Sequence, residues 1–249
     1  MCLCFVAWKV HPDYSLILLS NRDELYNRPT ETAQWLREHP QILCGRDRAK
    51  KGTWLGVTQS AAFATLTNYR KREIDDSSEE KKSRGTLVMD FLRAPQTSPN
   101  SYLKSLSLHN YSGFNLLIGN SQELWYANNM VPERKKLRPG IYGLSNSRID
   151  DPWFKVLRGK EVFSQHIQAS RLAISSLFKM MKDPNLAPSD QLPKTGFPKS
   201  WEKICSARFV QSPQYGTRTT SLLCIPYKGK SQFKELSHYP KPKEVSYEF

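Results

Sequence analysis

The chain has 249 residues, with 37 Lys plus Arg against 23 Asp plus Glu, a formal net charge of +14. That length fits one large domain or two small ones with a full core, and the charge favours an anionic partner. Scattered basic clusters without a nucleic-acid motif, no run near the roughly 20 apolar residues of a membrane span, no signal peptide and five cysteines outside any CxxC pair exclude those classes and fit a cytoplasmic protein with reduced thiols.

The first strand is expected over residues 2–8, with Cys2, Cys4, Val6 and Trp8 on one face and Leu3, Phe5 and Ala7 on the other. Both faces are apolar, as is the whole second strand at 15–20, so both strands belong to a sheet covered on two sides. Residues 30–38 after Pro29 read as a short helix, followed by a charged loop. Strands follow at 52–57 and 61–67, then a polar surface loop at 70–84. Two helices are expected at 86–93 and 100–109, and strands at 113–119, 124–127 and 141–145. Helices follow over 153–168 and 170–182, then an irregular stretch with four prolines at 183–200. The last strands are placed at 204–210, 218–225, 232–237 and 244–249. Strand runs interrupted by paired helices, with strands buried on both faces, predict an α+β fold: a single-domain, four-layer α-β-β-α sandwich over 1–249.

The candidate chemistry begins at Cys2. Removal of Met1 would set its thiol beside its own α-amine, and such a nucleophile carries its own base. A small core cysteine is the competing reading of the same position. A metal site from Cys2 and Cys4 has no histidine nearby and is not expected. The Asn21-Arg22-Asp23-Glu24 string closes the second strand. It reads either as turn chemistry or as a cluster in which Asp23 holds the amine or a ligand and Arg22 adds charge. An antiparallel hairpin returns that string beside Cys2. Asn68 and Asn146 each follow a strand, where a side-chain amide can serve a turn or donate to an oxyanion. Arg218 opens an otherwise apolar strand, a costly place for a charge unless a carboxylate or an anionic ligand meets it.

Together Asn21-Arg-Asp-Glu24, Gly52-Thr-Trp-Leu-Gly56, Thr67-Asn-Tyr69, Gly113-Phe-Asn115, Tyr142-Gly-Leu-Ser-Asn146 and Tyr215-Gly-Thr-Arg-Thr219 resemble the NRDE family, the transport and Golgi organisation protein 2 family. That family in turn resembles N-terminal nucleophile (Ntn) hydrolases of the choloylglycine hydrolase and penicillin V acylase type. The resemblance implies an Ntn-hydrolase-like fold with a catalytic Cys2, a strand-end Asp23 and two oxyanion or binding asparagines at Asn68 and Asn146. Leu144-Ser-Asn-Ser147 ahead of Trp153 is similar to the hydrolases as well. They carry an arginine three residues before the aspartate, where this chain has Ser20, and neighbouring strand residues face opposite ways, so Arg22 does not replace it. Their later arginine has no clear counterpart, Arg218 being the candidate. The resemblance therefore implies the scaffold more firmly than the hydrolysis. Two expectations stay open: an N-terminal cysteine amidohydrolase acting on a small acyl-amide, and a non-enzymatic carrier of haem or an anionic acyl-CoA- or lipid-like ligand. In the second, Asn21, Arg22 and Arg218 would contribute to binding. A scaffold acting only through protein contacts has no sequence feature of its own.

Overall fold

The computed structural model describes residues 2–71 and 81–249. β1 (Cys2–Trp8) and β2 (Tyr14–Leu25) form a hairpin, and β3 (Thr30–Trp35), β4 (Ile42–Asp47), β5 (Leu55–Thr58) and β6 (Phe63–Asn68) follow. Next come α1 (Gly85–Arg93) and α2 (Pro99–Ser105), then β7 (Phe114–Gly119), β8 (Leu124–Asn128), β9 (Glu133–Lys136) and β10 (Gly140–Leu144). The chain continues through α3 (Phe154–Gln168), α4 (Ile174–Met181) and α5 (Lys199–Ile204) to β11 (Tyr215–Pro226), β12 (Gln232–Ser237) and β13 (Lys243–Glu248).

The strands make two antiparallel sheets, ordered β10-β1-β2-β11-β12-β13 and β3-β4-β5-β6-β7-β8-β9. Period-two alternation divides their side chains among three apolar layers. Cys4, Val6, Trp8, Leu16 and Leu18 meet Leu43, Val57, Phe63 and Leu117 between the sheets. Leu3, Phe5, Ile17 and Leu19 pack outward against Val156 and Phe163 of α3 and Leu177 and Met181 of α4. Ala64, Leu66 and Leu116 pack outward against Leu87 and Phe91 of α1 and Tyr102 of α2. The arrangement is the expected α-β-β-α sandwich, and β1 is buried on both faces along its whole length. Among the described residues, no helix is long and apolar enough to cross a membrane.

Several local expectations are corrected. Residues 30–38 carry β3 in place of a helix. β-branched Thr30 and Thr32 favour the extended chain, and Ala33 and Trp35 turn toward the inter-sheet core. The loop expected after residue 38 contains β4, whose Ile42, Leu43 and Cys44 are fully buried. Four charged residues form β9, an edge strand whose composition discourages further pairing. The strand expected at 204–210 is replaced by the end of α5 and a turn, because Trp201, Ile204 and Cys205 follow helical spacing into a small cluster with Tyr215. The second helix of the first pair stops at Ser105. Much of the charged loop expected at 70–84 lies outside the described residues.

Most consequential is β2, which runs five residues past Ser20 and carries Asn21 to Glu24 inside the sheet. Its partner β11 has a bulge there: Thr217 stands opposite Asp23 and Thr219 opposite Arg22, leaving Arg218 as the extra residue. A second buried polar group ties the sheets together. Glu235 of β12 accepts hydrogen bonds from the Ala33 amide at 2.9 Å and the Ser221 hydroxyl at 3.0 Å.

α3 rests on β1 through Gly159, where a Cβ would overlap the Phe5 ring. Alanine there gains about 1 kcal/mol of helix propensity but incurs an overpacking cost of about 1–3 kcal/mol. Gly159→Ala is therefore expected to lower the urea midpoint with an unchanged slope. Burial pushes the Glu235 carboxyl above its ordinary value, against the hydrogen bonds from Ala33 and Ser221. The folded state thus holds this proton more tightly than the unfolded chain, and stability drains away as pH rises through that window. Glu235→Gln removes this loss, so thermal melts from about pH 4 to about pH 8 should show the variant gaining on the wild type as pH rises.

Candidate functional site

Between the ends of the two sheets lies a cleft of about 560 Å³, with Cys2, Arg22, Asp23 and Glu24 on one side and Asp47, Trp54, Leu66 and Asn68 on the other. The β1–β2 register sets Cys2 directly opposite Arg22, and both point to the inter-sheet face that also carries Cys4. Cys2 is only 7 % exposed. Burial, and behind it the Asp23 carboxylate, push its thiol up, while the Arg22 guanidinium pulls the other way. At neutral pH Cys2 is thus a protonated thiol, and it becomes a nucleophile only when a base takes that proton.

Arg22 lies across the cleft wall with its guanidinium 4.4 Å from the Trp54 ring centre. It donates to the Thr30 hydroxyl at 3.2 Å and to Asp47 Oδ2 at 3.3 Å. Arg28 donates to the same Asp47 oxygen at 2.7 Å, and Glu24 lies 3.8 Å from Arg22 and 3.7 Å from Arg28. Asp47 also accepts from the Ala49 and Lys50 amides, which fixes the loop above the cleft. Two arginines and two carboxylates thus neutralise one another around an aromatic floor.

Asp23 faces the helix side of the sheet. It accepts from the Thr217 hydroxyl at 2.7 Å. Burial pushes its carboxyl up, opposed by the Lys155 ammonium and by the Thr217 hydrogen bond. Lys155, one residue into α3, is itself buried, and among the described residues its Nζ has no hydrogen-bond partner. Burial pulls its pKa down, while attraction to Asp23 holds it up.

The two asparagines are held differently. Asn68 lines the cleft. Asn146 is fully buried, its amide donating to the Asn68 carbonyl at 2.9 Å and its carbonyl accepting from the Arg70 amide at 2.7 Å. Its neighbour Ser145 donates to the Cys2 carbonyl at 3.2 Å. Asn146 therefore positions Asn68, and Ser145 positions Cys2, from the bend just past β10.

Asn21 and Arg218 stand apart from the cleft. The Asn21 amide donates to the Met181 and Arg208 carbonyls at 3.0 and 2.7 Å, and its oxygen accepts from Thr220 at 2.7 Å. Arg218, out on the bulge, donates to the carbonyls of Leu25, Tyr26 and Arg28 and lies 5.4 Å from the Tyr239 ring centre. The structure thus brings Cys2, Arg22, Asp23 and Asn68 to one cavity, and it commits Asn21, Asn146 and Arg218 to bracing the chain around it.

Sequence reasoning did not single out Trp54, Asp47, Arg28, Lys155 or the buried ion pair of Arg70 with Glu202 at 2.7 Å. Lys155 had a signal. With Gly159, Phe163 and Ile167 it falls on one buried stripe of α3 at four-residue spacing, where a charge is out of place.

This fold and site define an α-β-β-α sandwich with a cysteine, near the start of its first strand, in a charged cleft. The Transport and Golgi organisation 2 family matches residues 1–240, and the chain belongs to that family. It is 33% identical to the Transport and Golgi organization protein 2 homolog of Homo sapiens, covering 96% of both chains. It is 29% identical to Transport and Golgi organization protein 2 of Drosophila melanogaster, covering 94% of this chain and 91% of that one. Among solved structures, a mutant conjugated bile acid hydrolase from Clostridium perfringens matches with a TM-score of 0.46 at 11% identity, over 100% of this chain and 92% of that one. An N-acylethanolamine-hydrolyzing acid amidase ortholog from Caenorhabditis elegans matches with 0.42 at 10%, over 89% of this chain and 92% of that one.

Because the Asp23 carboxylate raises the Cys2 thiol, Asp23→Asn should shift the pH profile of Cys2 alkylation to lower pH. The asparagine oxygen can still accept from Thr217, so the strand pairing is retained. Peptide mass mapping after timed iodoacetamide treatment reads the midpoint, and an unmoved profile would show that the carboxylate does not act on the thiol.

Proposed function

We propose that the chain binds a small acyl compound through its anionic end in the cleft between the sheets, and that it carries this ligand without turning it over. The observation that supports this is the charge of the lining. It holds six basic residues, Arg22, Arg28, Lys50, Lys81, Lys82 and Arg84, against the three carboxylates of Asp23, Glu24 and Asp47. Glu24 and Asp47 are already paired with Arg22 and Arg28, whereas among the described residues Lys50 at the rim has no acidic partner and Lys82 meets only the attraction of Asp90. A phosphate or carboxylate entering between them meets positive charge that the described lining does not fully neutralise. The volume lies within the range of about 300–1,000 Å³ usual for small-ligand sites.

The chemistry of the lining favours such an anion over haem. An axial ligand to haem iron is normally His, Cys, Met or Tyr. The described lining offers only Cys2 among these, and burial keeps that thiol protonated.

A second reading is favoured by Cys2 itself, which shares the cavity with Asp23 and Asn68. With Met1 removed, its thiolate would attack an amide carbonyl, the leaving amine would take the proton, and water would hydrolyse the thioester. In this reading Asn68, which lines the cleft, would donate to the oxyanion, while the Asn146 amide donates to the Asn68 carbonyl.

Isothermal titration with acetyl-coenzyme A separates these readings. Reversing both rim charges, Lys50→Glu with Lys82→Glu, should weaken binding by at least about tenfold, and added salt should weaken it in the wild type. Cys2→Ser should leave the affinity intact. Unchanged affinity in the rim variant would overturn the binding site. Turnover of an acyl-amide panel that disappears in Cys2→Ser would establish the hydrolase, whereas an intact mass retaining Met1 would eliminate it.

A further inference from the structure

The helical layer over the first sheet is two helices wide. At about 10 Å per helix and about 4.8 Å per strand, α3 and α4 cover roughly four of the six strands. The outer face of β12 and β13 is left beyond them. Between α4 and that face runs a groove of about 480 Å³ whose floor is Ile174, Phe178 and Leu236 and whose rim carries Lys179, Lys182 and Lys234. Past Lys182 and Leu236 it opens into a further hollow of about 280 Å³ walled by Phe209, His238 and Tyr239.

The charges here are unbalanced in a particular way. Lys234 pairs with Glu244 across β12 and β13 at 2.7 Å. Lys179 and Lys182 have no ion pair and no side-chain hydrogen bond among the described residues. His238 adds no positive charge. Both Asn21 amide hydrogens are taken by the Met181 and Arg208 carbonyls, so the Thr220 hydroxyl donates to the Asn21 oxygen. The 2.8 Å contact between Thr220 and His238 Nε2 therefore has the imidazole as donor, leaving Nδ1 as an acceptor. Burial and the neighbouring Lys182 bring this imidazole down to about 4, so it is neutral at physiological pH.

An apolar trough with two uncompensated ammonium groups on one lip is complementary to a molecule with a hydrocarbon chain and one negative head. We propose that this groove binds a single-chain amphipathic anion, its chain on Ile174, Phe178 and Leu236 and its head between Lys179 and Lys182. The site is separate from the Cys2 cleft and does not rest on how that cleft is read.

The test is isothermal titration of the full chain with laurate below its micellar concentration. One laurate per chain is expected in the groove, counted as the binding that persists when the cleft rim is reversed by Lys50→Glu with Lys82→Glu. Lys179→Glu combined with Lys182→Glu should weaken it by at least about tenfold. Both lysines are exposed at the C-terminal end of α4, so the double variant should lower the urea midpoint only by the small cost of reversing charge at a helix end. The rim pair Lys50→Glu with Lys82→Glu should leave this groove-bound laurate in place, and dodecanol, with no charge, should bind wild type and groove variant alike. The proposal is overturned by equal laurate affinity in the groove variant, by loss of binding in the rim variant, or by butyrate binding as tightly as laurate. Absence of laurate binding also overturns it and leaves the groove to a macromolecular partner.

Discussion

Four consecutive polar residues, Asn21 to Glu24, lie inside a strand that is buried on both faces. A buried amide left without partners costs about 1–3 kcal/mol, and an unpaired buried charge costs more. Much of the surrounding architecture answers that constraint. Asn21 is met by two carbonyls from the α4 side and by Thr220, Asp23 by Thr217, and Arg22 by Trp54, Thr30 and Asp47. Each partner comes from a different part of the chain, so the string acts as a junction at which both sheets and the outer helices must agree. The cleft is the place where that junction reaches solvent.

The layer order could be read from the sequence because β1 and the first half of β2 are apolar on both faces. Only a sheet covered on both sides accommodates such strands. That the Asn21 to Glu24 string returns beside Cys2 followed from hairpin geometry, and the structure sets Arg22 directly opposite it. Other parts were hidden for physical reasons. β3 looks helical because its bulge breaks the alternation between Glu31 and Gln34. β4 is three apolar residues followed by Gly-Arg-Asp, too short to separate from a loop. The roles of Asn21 and Arg218 depend on carbonyls donated by distant segments, and no local pattern encodes a carbonyl's direction. Trp54 lay within a noted motif, yet its contact with Arg22 exists only once the two sheets are stacked.

The two cavities divide the chemistry of the molecule between them. The cleft is lined by charged groups that largely satisfy one another, while the α4–β12 groove is apolar with its charge confined to a lip. The first arises where two sheets end together, the second where a helical layer is narrower than the sheet it covers. The groove needs no special loop, and the cleft needs loops only for its rim at Lys50 and Lys82. Both follow from element counts and strand lengths that the core already demands.

The bulge at Arg218 has a consequence for the phase of β11. Below it, Leu222 and Cys224 face the helices while Leu223 and Ile225 face the other sheet. Above it the parity inverts, and odd-numbered Thr217 shares the helix side with Asp23. One inserted residue therefore acts like a frameshift written in three dimensions. It lets a single strand serve the apolar core in one reading frame and the Cys2 site in the other. Insertions and deletions within β11 are not equivalent along its length: loss of Arg218 would merge the two frames with Thr217 still opposite Asp23, whereas loss of a residue elsewhere in the strand would turn the side chains beyond it to the wrong face.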